Sequence, residues 1–260
     1  LRFLILKILK ENILLILYLA LWASSGLLFA PTTSVAKVTV DASPPVNDET
    51  FQYRLTWNGI RAGTAWLGIK KEGSQIKIFS KVRSADFISL FYEVNDVVES
   101  ILEPVDGLYP GRPHYYRIKL KEGRHRRDKE VVFNAKTALY RDNIKKETKE
   151  FPIPDVVFDP LSAFFSVRFS HLEVGRSIFI TVFDSKKVWD VEVQVLKKET
   201  VELKKGPVNT ILIKPLMQSE GIFYRKGEIF IWLTDDERRL PVMLKTKVLI
   251  GSVVAEIEDF

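Results

Sequence analysis

The feature that most constrains this chain is an alternation of apolar and polar residues with a period of two, repeated along most of its length. In the stretch from Gln75 to Val82, Ile76, Ile78 and Val82 fall on one side and Lys77 and Lys81 on the other. Val191, Val193 and Val195 alternate with Glu192 and Gln194, and Val242, Leu244, Thr246, Val248 and Ile250 oppose Lys245 and Lys247. Successive side chains of a β-strand point to opposite faces, so this pattern specifies half-buried antiparallel strands. It is incompatible with a helical body, whose apolar positions recur every three to four residues.

Turn signals punctuate these runs at short intervals: Asn58-Gly59, Glu72-Gly73, Asp106-Gly107, Glu122-Gly123, Lys205-Gly206-Pro207, Lys226-Gly227 and Ile250-Gly251. Each supplies a residue that tolerates positive φ, and Asn-Gly is the strongest hairpin signal among them. The spacing predicts an all-β fold, a curved antiparallel sheet or open half-barrel of about ten to twelve strands. One segment departs from the pattern. Asp159 can cap a helix and Pro160 suits its first position. Leu161, Phe164, Phe165, Arg168 and Leu172 follow at helical spacing, and Gly175 stops the run. A single short helix is expected over about 159–172, laid against the sheet.

The first segment reads as an address. Arg2, Lys7 and Lys10 precede an uncharged run from Ile13 to Ala30, the layout of a secretory signal. Small residues suited to cleavage occur at Ser34-Val35-Ala36 and at Ala23-Ser24-Ser25. The competing expectation is a retained anchor, because a spanning helix needs about 20 apolar residues. Ser24, Ser25 and Gly26 interrupt the second half of the run and favour a signal helix that is removed. Residues 1–36 are therefore assigned to a signal peptide or anchor, 37–49 to a linker rich in Pro, Asp and Ser, and 50–260 to one β domain. The expected location is the periplasm, or the inner membrane facing it if the segment is kept.

Composition narrows the chemistry. The 260 residues include no cysteine and 3 histidines, which removes disulfides, thiolate metal sites and cysteine nucleophiles. No Gly-x-Ser-x-Gly elbow and no histidine pair at i, i+4 is present, and no cofactor or metal site is expected. The basic cluster Arg124, His125, Arg126, Arg127 and Lys129 follows Glu122-Gly123 and reads as a solvated hairpin tip. An exported chain has no nucleic acid to meet. Asp235, Asp236 and Glu237 read as a charged turn, since no calcium-loop pattern surrounds them.

An ordered set of motifs completes the picture: Tyr53-x3-Trp57-Asn58-Gly59-Ile60-x-Ala62-Gly63, Asp96-x3-Ser100, Gly107-Leu108-Tyr109-Pro110, Asp159-Pro160-Leu161-Ser162 with Arg168, Phe183-Asp184, and Ile231-Trp232-Leu233-Thr234-Asp235-Asp236 with Leu240-Pro241-Val242. Their order and spacing, over roughly 48–258, resemble an exported bacterial family of unknown function, domain-of-unknown-function family 3108. The resemblance implies a periplasmic β protein of Gram-negative bacteria with no agreed activity. It also implies an architecture similar to the half-barrels of periplasmic lipoprotein carriers, with a helix in or near the mouth.

The candidate ligand-binding residues are Trp57, Trp66, Phe91, Tyr92, Arg168 and Trp232. Aromatics in strands chiefly fill cores, but on a concave face they can also line an apolar pocket. Arg168 stands among phenylalanines and should pair with an acid such as Asp96 or Asp184, or meet a ligand anion. The expectation is a non-enzymatic exported protein that binds a hydrophobic or amphipathic envelope molecule (a lipid, lipoprotein or glycan) on its concave face. Two alternatives stand beside it: an interaction scaffold in envelope or surface-polysaccharide assembly, and an enzyme acting on glycan or lipid through carboxylates from separate strands. Membrane contact is expected only through an uncleaved N-terminal segment.

Overall fold

The computed structural model describes residues 47–216, 228–247 and 251–259. The expected signal helix or anchor and the Lys226-Gly227 turn lie outside the described residues. Fourteen strands are present: β1 (Glu49–Trp57), β2 (Ile60–Glu72), β3 (Gln75–Ser84), β4 (Asn95–Val105), β5 (Leu108–Glu122), β6 (His125–Phe133), β7 (Thr137–Asp142), β8 (Glu147–Pro152), β9 (Ser177–Asp184), β10 (Lys187–Leu203), β11 (Gly206–Leu216), β12 (Ile229–Thr234), β13 (Pro241–Lys247) and β14 (Ser252–Asp259). A one-turn helix, α1 (Asp86–Ser89), separates β3 from β4, and α2 (Pro160–Arg168) separates β8 from β9. No helix among the described residues is long and apolar enough to cross a membrane.

All fourteen strands belong to one sheet, in the order β8-β7-β6-β5-β4-β3-β2-β1-β14-β13-β12-β11-β10-β9. Two meanders run outward from the central antiparallel pair β1–β14, so the two edge strands, β8 and β9, are neighbours in the chain. The sheet curls until these edges face each other. The rings of Phe151 and Phe183 lie 5.9 Å apart, and Lys186, in the β9–β10 turn, meets the Glu147 carboxylate at 2.6 Å. No strand ladder joins β8 to β9 among the described residues. Phe158, in the chain between β8 and α2, bridges to β9: its N–H donates to Thr181 O at 2.9 Å, and its carbonyl accepts from Phe183 N at 2.8 Å. The sheet is thus the open, antiparallel half-barrel that the alternation predicts, with side chains closing its seam.

A meander places every second turn at the same end, which gives the curl two rims. The turns β1–β2, β3–β4 with α1, β5–β6, β7–β8 and β9–β10 form one of them, the α1 rim. Asn58 and Gly59, with φ of 48° and 82°, make the left-handed pair that a two-residue hairpin requires. Asn58 also holds β1 to β14 there, donating its N–H to Ser252 O at 3.1 Å and accepting from Ser252 N at 3.0 Å.

Residues of one parity face inward and form the core: Tyr53 and Leu55 on β1, Ile76, Ile78 and Val82 on β3, Val98 and Leu102 on β4, Ile118 and Leu120 on β5. Ile69, Ile78 and Leu102 are wholly buried, and each such side chain stabilises the fold by roughly 1.5–3 kcal/mol. The helix α2 lies in the concavity between two apolar clusters. Leu161 and Phe165 join the larger cluster, while Ala163 and Val167 join the one formed by Val193, Val195, Ile211 and Ile231. A helix buried on all sides must satisfy its polar groups internally. Asp159 does so at the start, accepting from Leu161 N at 2.9 Å and Ser162 N at 3.1 Å, with Pro160 in the first position as the sequence predicts. The helix ends at Arg168, short of the expected 172. Phe169 N and Ser170 N bond to the carbonyls three residues back, which tightens the last turn and terminates it.

The β10–β11 hairpin folds over the outer face. Its tip reaches β14, where Lys204 N donates to Glu256 Oε1 at 3.2 Å and Lys205 pairs with Asp259 at 2.7 Å. A β-bulge between Val195 and Lys197 shifts the register there, so Val201 and Leu203 turn toward the convex side and cover Trp232 and Leu212.

Candidate functional site

The six residues singled out from the sequence do not converge. Trp57, at the end of β1, borders a cavity of about 20 Å³ with Leu55, Ala62, Val82 and Val94. Phe91 and Tyr92 follow α1 on the same rim; Phe91 points outward and Tyr92 inward. Trp66 lies on the convex face of β2 and donates to Gln52 at 3.0 Å. Trp232 is also convex, buried under the β10–β11 hairpin, with its indole N–H on Glu199 at 2.9 Å. Arg168 sits at the opposite rim.

Arg168 is fully buried and wired on every side. Nη1 meets Glu49 at 2.9 Å, Nε donates to Arg239 O and Nη2 to Arg238 O, both at 3.0 Å. The rings of Phe51, Phe165 and Phe169 surround its guanidinium. Its acid is Glu49, not Asp96 or Asp184, because the C-terminal end of α2 lies by the start of β1 and the β12–β13 turn. The Asp235–Glu237 segment forms that turn: Asp236 accepts from Arg238 N and Arg239 N, and Asp235 pairs with Lys198 and Arg239. Among the described residues no three His, Asp or Glu side chains cluster as metal ligands would.

The concentration of unusual polar groups is inside the curl, toward the α1 rim. Register opposes Arg127 to Leu120, Lys129 to Ile118 and Tyr140 to Val131, so β6 and β7 aim charges and a phenol at the interior. With Tyr116, Asp184 and Ser185 they border a cavity of about 10 Å³, enough for roughly one water. Burial pushes the Asp184 carboxyl up to about 7, against the pull of Ser185, Lys129 and Arg127. Burial likewise lowers the Lys129 ammonium to about 8 and depresses Arg127. Tyr116, buried beside Asp184 and Asp159, is pushed well above the ordinary phenol value, and its hydroxyl and Asp184 Oδ2 have no hydrogen-bond partner among the described residues. Beside this set lies Asp96, also raised by burial to about 7 although Lys121 N donates to it at 2.8 Å. Deeper in, Asp159 accepts from Ser100 at 2.5 Å and Ser162 at 2.7 Å, which ties α2 to β4.

The arrangement can hold protons near neutrality and order a water. Among the described residues, the space these groups border is the cavity of about 10 Å³. The sequence did contain a signal for it: Arg127 and Lys129 share parity with Val131 and Phe133, which places them indoors instead of at the solvated tip that their charge suggests.

No curated protein matches the chain. Among solved structures, the crystal structure of a β-barrel-like protein of the unknown-function family DUF1849 from Brucella abortus is similar. That likeness has a TM-score of 0.50 at 12% identity, over 81% of this chain and 95% of the other, and it shows the fold alone. The family model described as a protein of unknown function, DUF3108, matches residues 52–258, most of the sheet and all of α2, and the chain belongs to that family.

Proposed function

We propose that this chain is an exported, non-enzymatic binding module of the cell envelope that acts through its outer surface and rims. One observation carries the reading. The space inside the curl that a carrier would give to an acyl chain is occupied by α2, whose residues from Pro160 to Val167 are buried except for a half-buried Phe164, and which ends on the buried Arg168. Small-molecule sites commonly need about 300–1,000 Å³, whereas the spaces beside Trp57 and Asp184 hold about 20 and 10 Å³. The polar groups indoors are sequestered and serve to fix the curl.

Native mass spectrometry of the full chain, purified with and without envelope lipid extract, tests this. A bare mass in both conditions is expected. A stoichiometric retained lipid would overturn the reading in favour of a concave-face carrier. The seam gives that second reading its foothold, since side-chain contacts join β8 to β9 without a strand ladder among the described residues and a ligand could enter by parting them.

A further inference from the structure

The two rims differ in chemistry. Turns of the opposite rim, Asp106 among them, mix acids and bases: Asp155 meets Lys136, and Asp235 meets Lys198 and Arg239. The α1 rim instead combines exposed apolar side chains with arginines. Leu90 is 80% exposed, Phe87 49% and Phe91 46%, all within one turn of chain around α1. The β5–β6 hairpin stands directly beside them. Gly123 N donates to Glu93 O at 2.7 Å, and the Tyr92 ring packs so closely on Gly123 that a Cβ there would lie 2.7 Å from it. This contact sets the hairpin tip, with Arg124 and Arg126 exposed, next to the apolar knob. Arg126 donates to the carbonyls of Gly123 and His125, and neither arginine meets a carboxylate among the described residues. Glu93 is already matched by Lys121 at 2.7 Å.

Exposed apolar side chains beside arginines that meet no carboxylate among the described residues suit a surface that is negative outside and apolar just beneath. We propose that the α1 rim docks on an anionic lipid bilayer. Phe87, Leu90 and Phe91 enter the headgroup layer, and Arg124 and Arg126 meet the phosphates. The opposite rim, where acids and bases offset each other, points away. This rests on the reading that the protein acts through its surface, but it is tested separately: a lipid retained inside would overturn that reading and leave the rim assay unaffected.

The absence of native cysteine permits a local reporter in the full chain, one that does not depend on how residues 1–36 meet a bilayer. Leu90→Cys is labelled with an environment-sensitive dye and titrated with vesicles of equal parts phosphatidylglycerol and phosphatidylcholine, or of phosphatidylcholine alone. A blue-shifted, brighter emission is expected with the anionic vesicles only, weakening as salt is raised. Each arginine near a bilayer strengthens binding about fivefold, so Arg124→Ser with Arg126→Ser should weaken it on the order of 25-fold. A label at Asp106→Cys, on the opposite rim, should not respond. Circular dichroism verifies folding of each variant. A Leu90→Cys label that stays in water, responds equally to neutral vesicles, or ignores the loss of both arginines overturns the proposal.

Discussion

Asp184 gives the sharpest test of how the interior is built. The residue is 4% exposed, and burial moves its carboxyl from an ordinary 3.8 to about 7. The folded state therefore binds a proton that the unfolded chain has already released, and stability must fall as pH rises between those two values. Below about pH 3 the group is neutral in both states and contributes no penalty. Near pH 5 the folded protein forgoes about 2 kcal/mol, and above pH 7 about 4 kcal/mol, since a tenfold difference in proton affinity between the two states corresponds to about 1.4 kcal/mol. Asp184→Asn reproduces the shape of the neutral carboxyl and removes the titration.

The expected outcome is a gap in stability that opens with pH. The variant and parent should unfold at the same urea concentration near pH 3. The variant should be more stable by about 4 kcal/mol near pH 8, read from midpoints at a common slope. Asp96 titrates over the same range in both proteins and cancels in the difference. A gap independent of pH, or a variant less stable than the parent near pH 8, would refute the claim that burial outweighs the attraction of Lys129 and Arg127.

Other substitutions probe the remaining parts. Arg168→Met leaves Glu49 and two carbonyls without their donor and should cost about 3–5 kcal/mol, measured by urea unfolding. Asp159→Ala removes the cap of α2 and the partner of Ser100 and Ser162, so a loss of about 3 kcal/mol is expected, with Asp159→Asn recovering much of it. Gly123→Ala forces a side chain into a φ of +53° and against Tyr92; thermal unfolding should register a loss of about 1–2 kcal/mol.

Much of the fold was legible because its signals are local. Alternation along β3 and β13 states which residues share a face, and Asn58-Gly59 and Asp159-Pro160 announce a hairpin and a helix start through the backbone angles they favour. The strand count rose from about ten to twelve to fourteen where those signals are missing. β7 and β8 have six residues each, and their joining turn contains no glycine: Asp142 Oδ1 holds it by accepting from Ile144 N and Lys145 N. The β9–β10 turn has φ of 43° and 82° at Ser185 and Lys186, a left-handed pair that the sequence gives no hint of. Lys186 keeps that conformation while its ammonium crosses the seam to Glu147, so tertiary contact sustains what local preference opposes.

The candidate site was less legible because alternation assigns residues to two faces without saying which is concave. Trp232 alternates with Ile231 and Leu233, yet the isoleucine and leucine face the lumen and the indole faces out, where the β10–β11 hairpin covers it. The bulge after Val195 reverses parity within one strand, a step that no periodic pattern carries across. Charge misleads in the same way. Arg124 and Arg126 remain at the tip, while Arg127 and Lys129, from the same basic run, belong to strand positions opposite Leu120 and Ile118. One cluster in the sequence is thus divided by strand pairing into two parts of different consequence. The outer part can meet an anionic surface, and the inner part borders the buried carboxyl of Asp184.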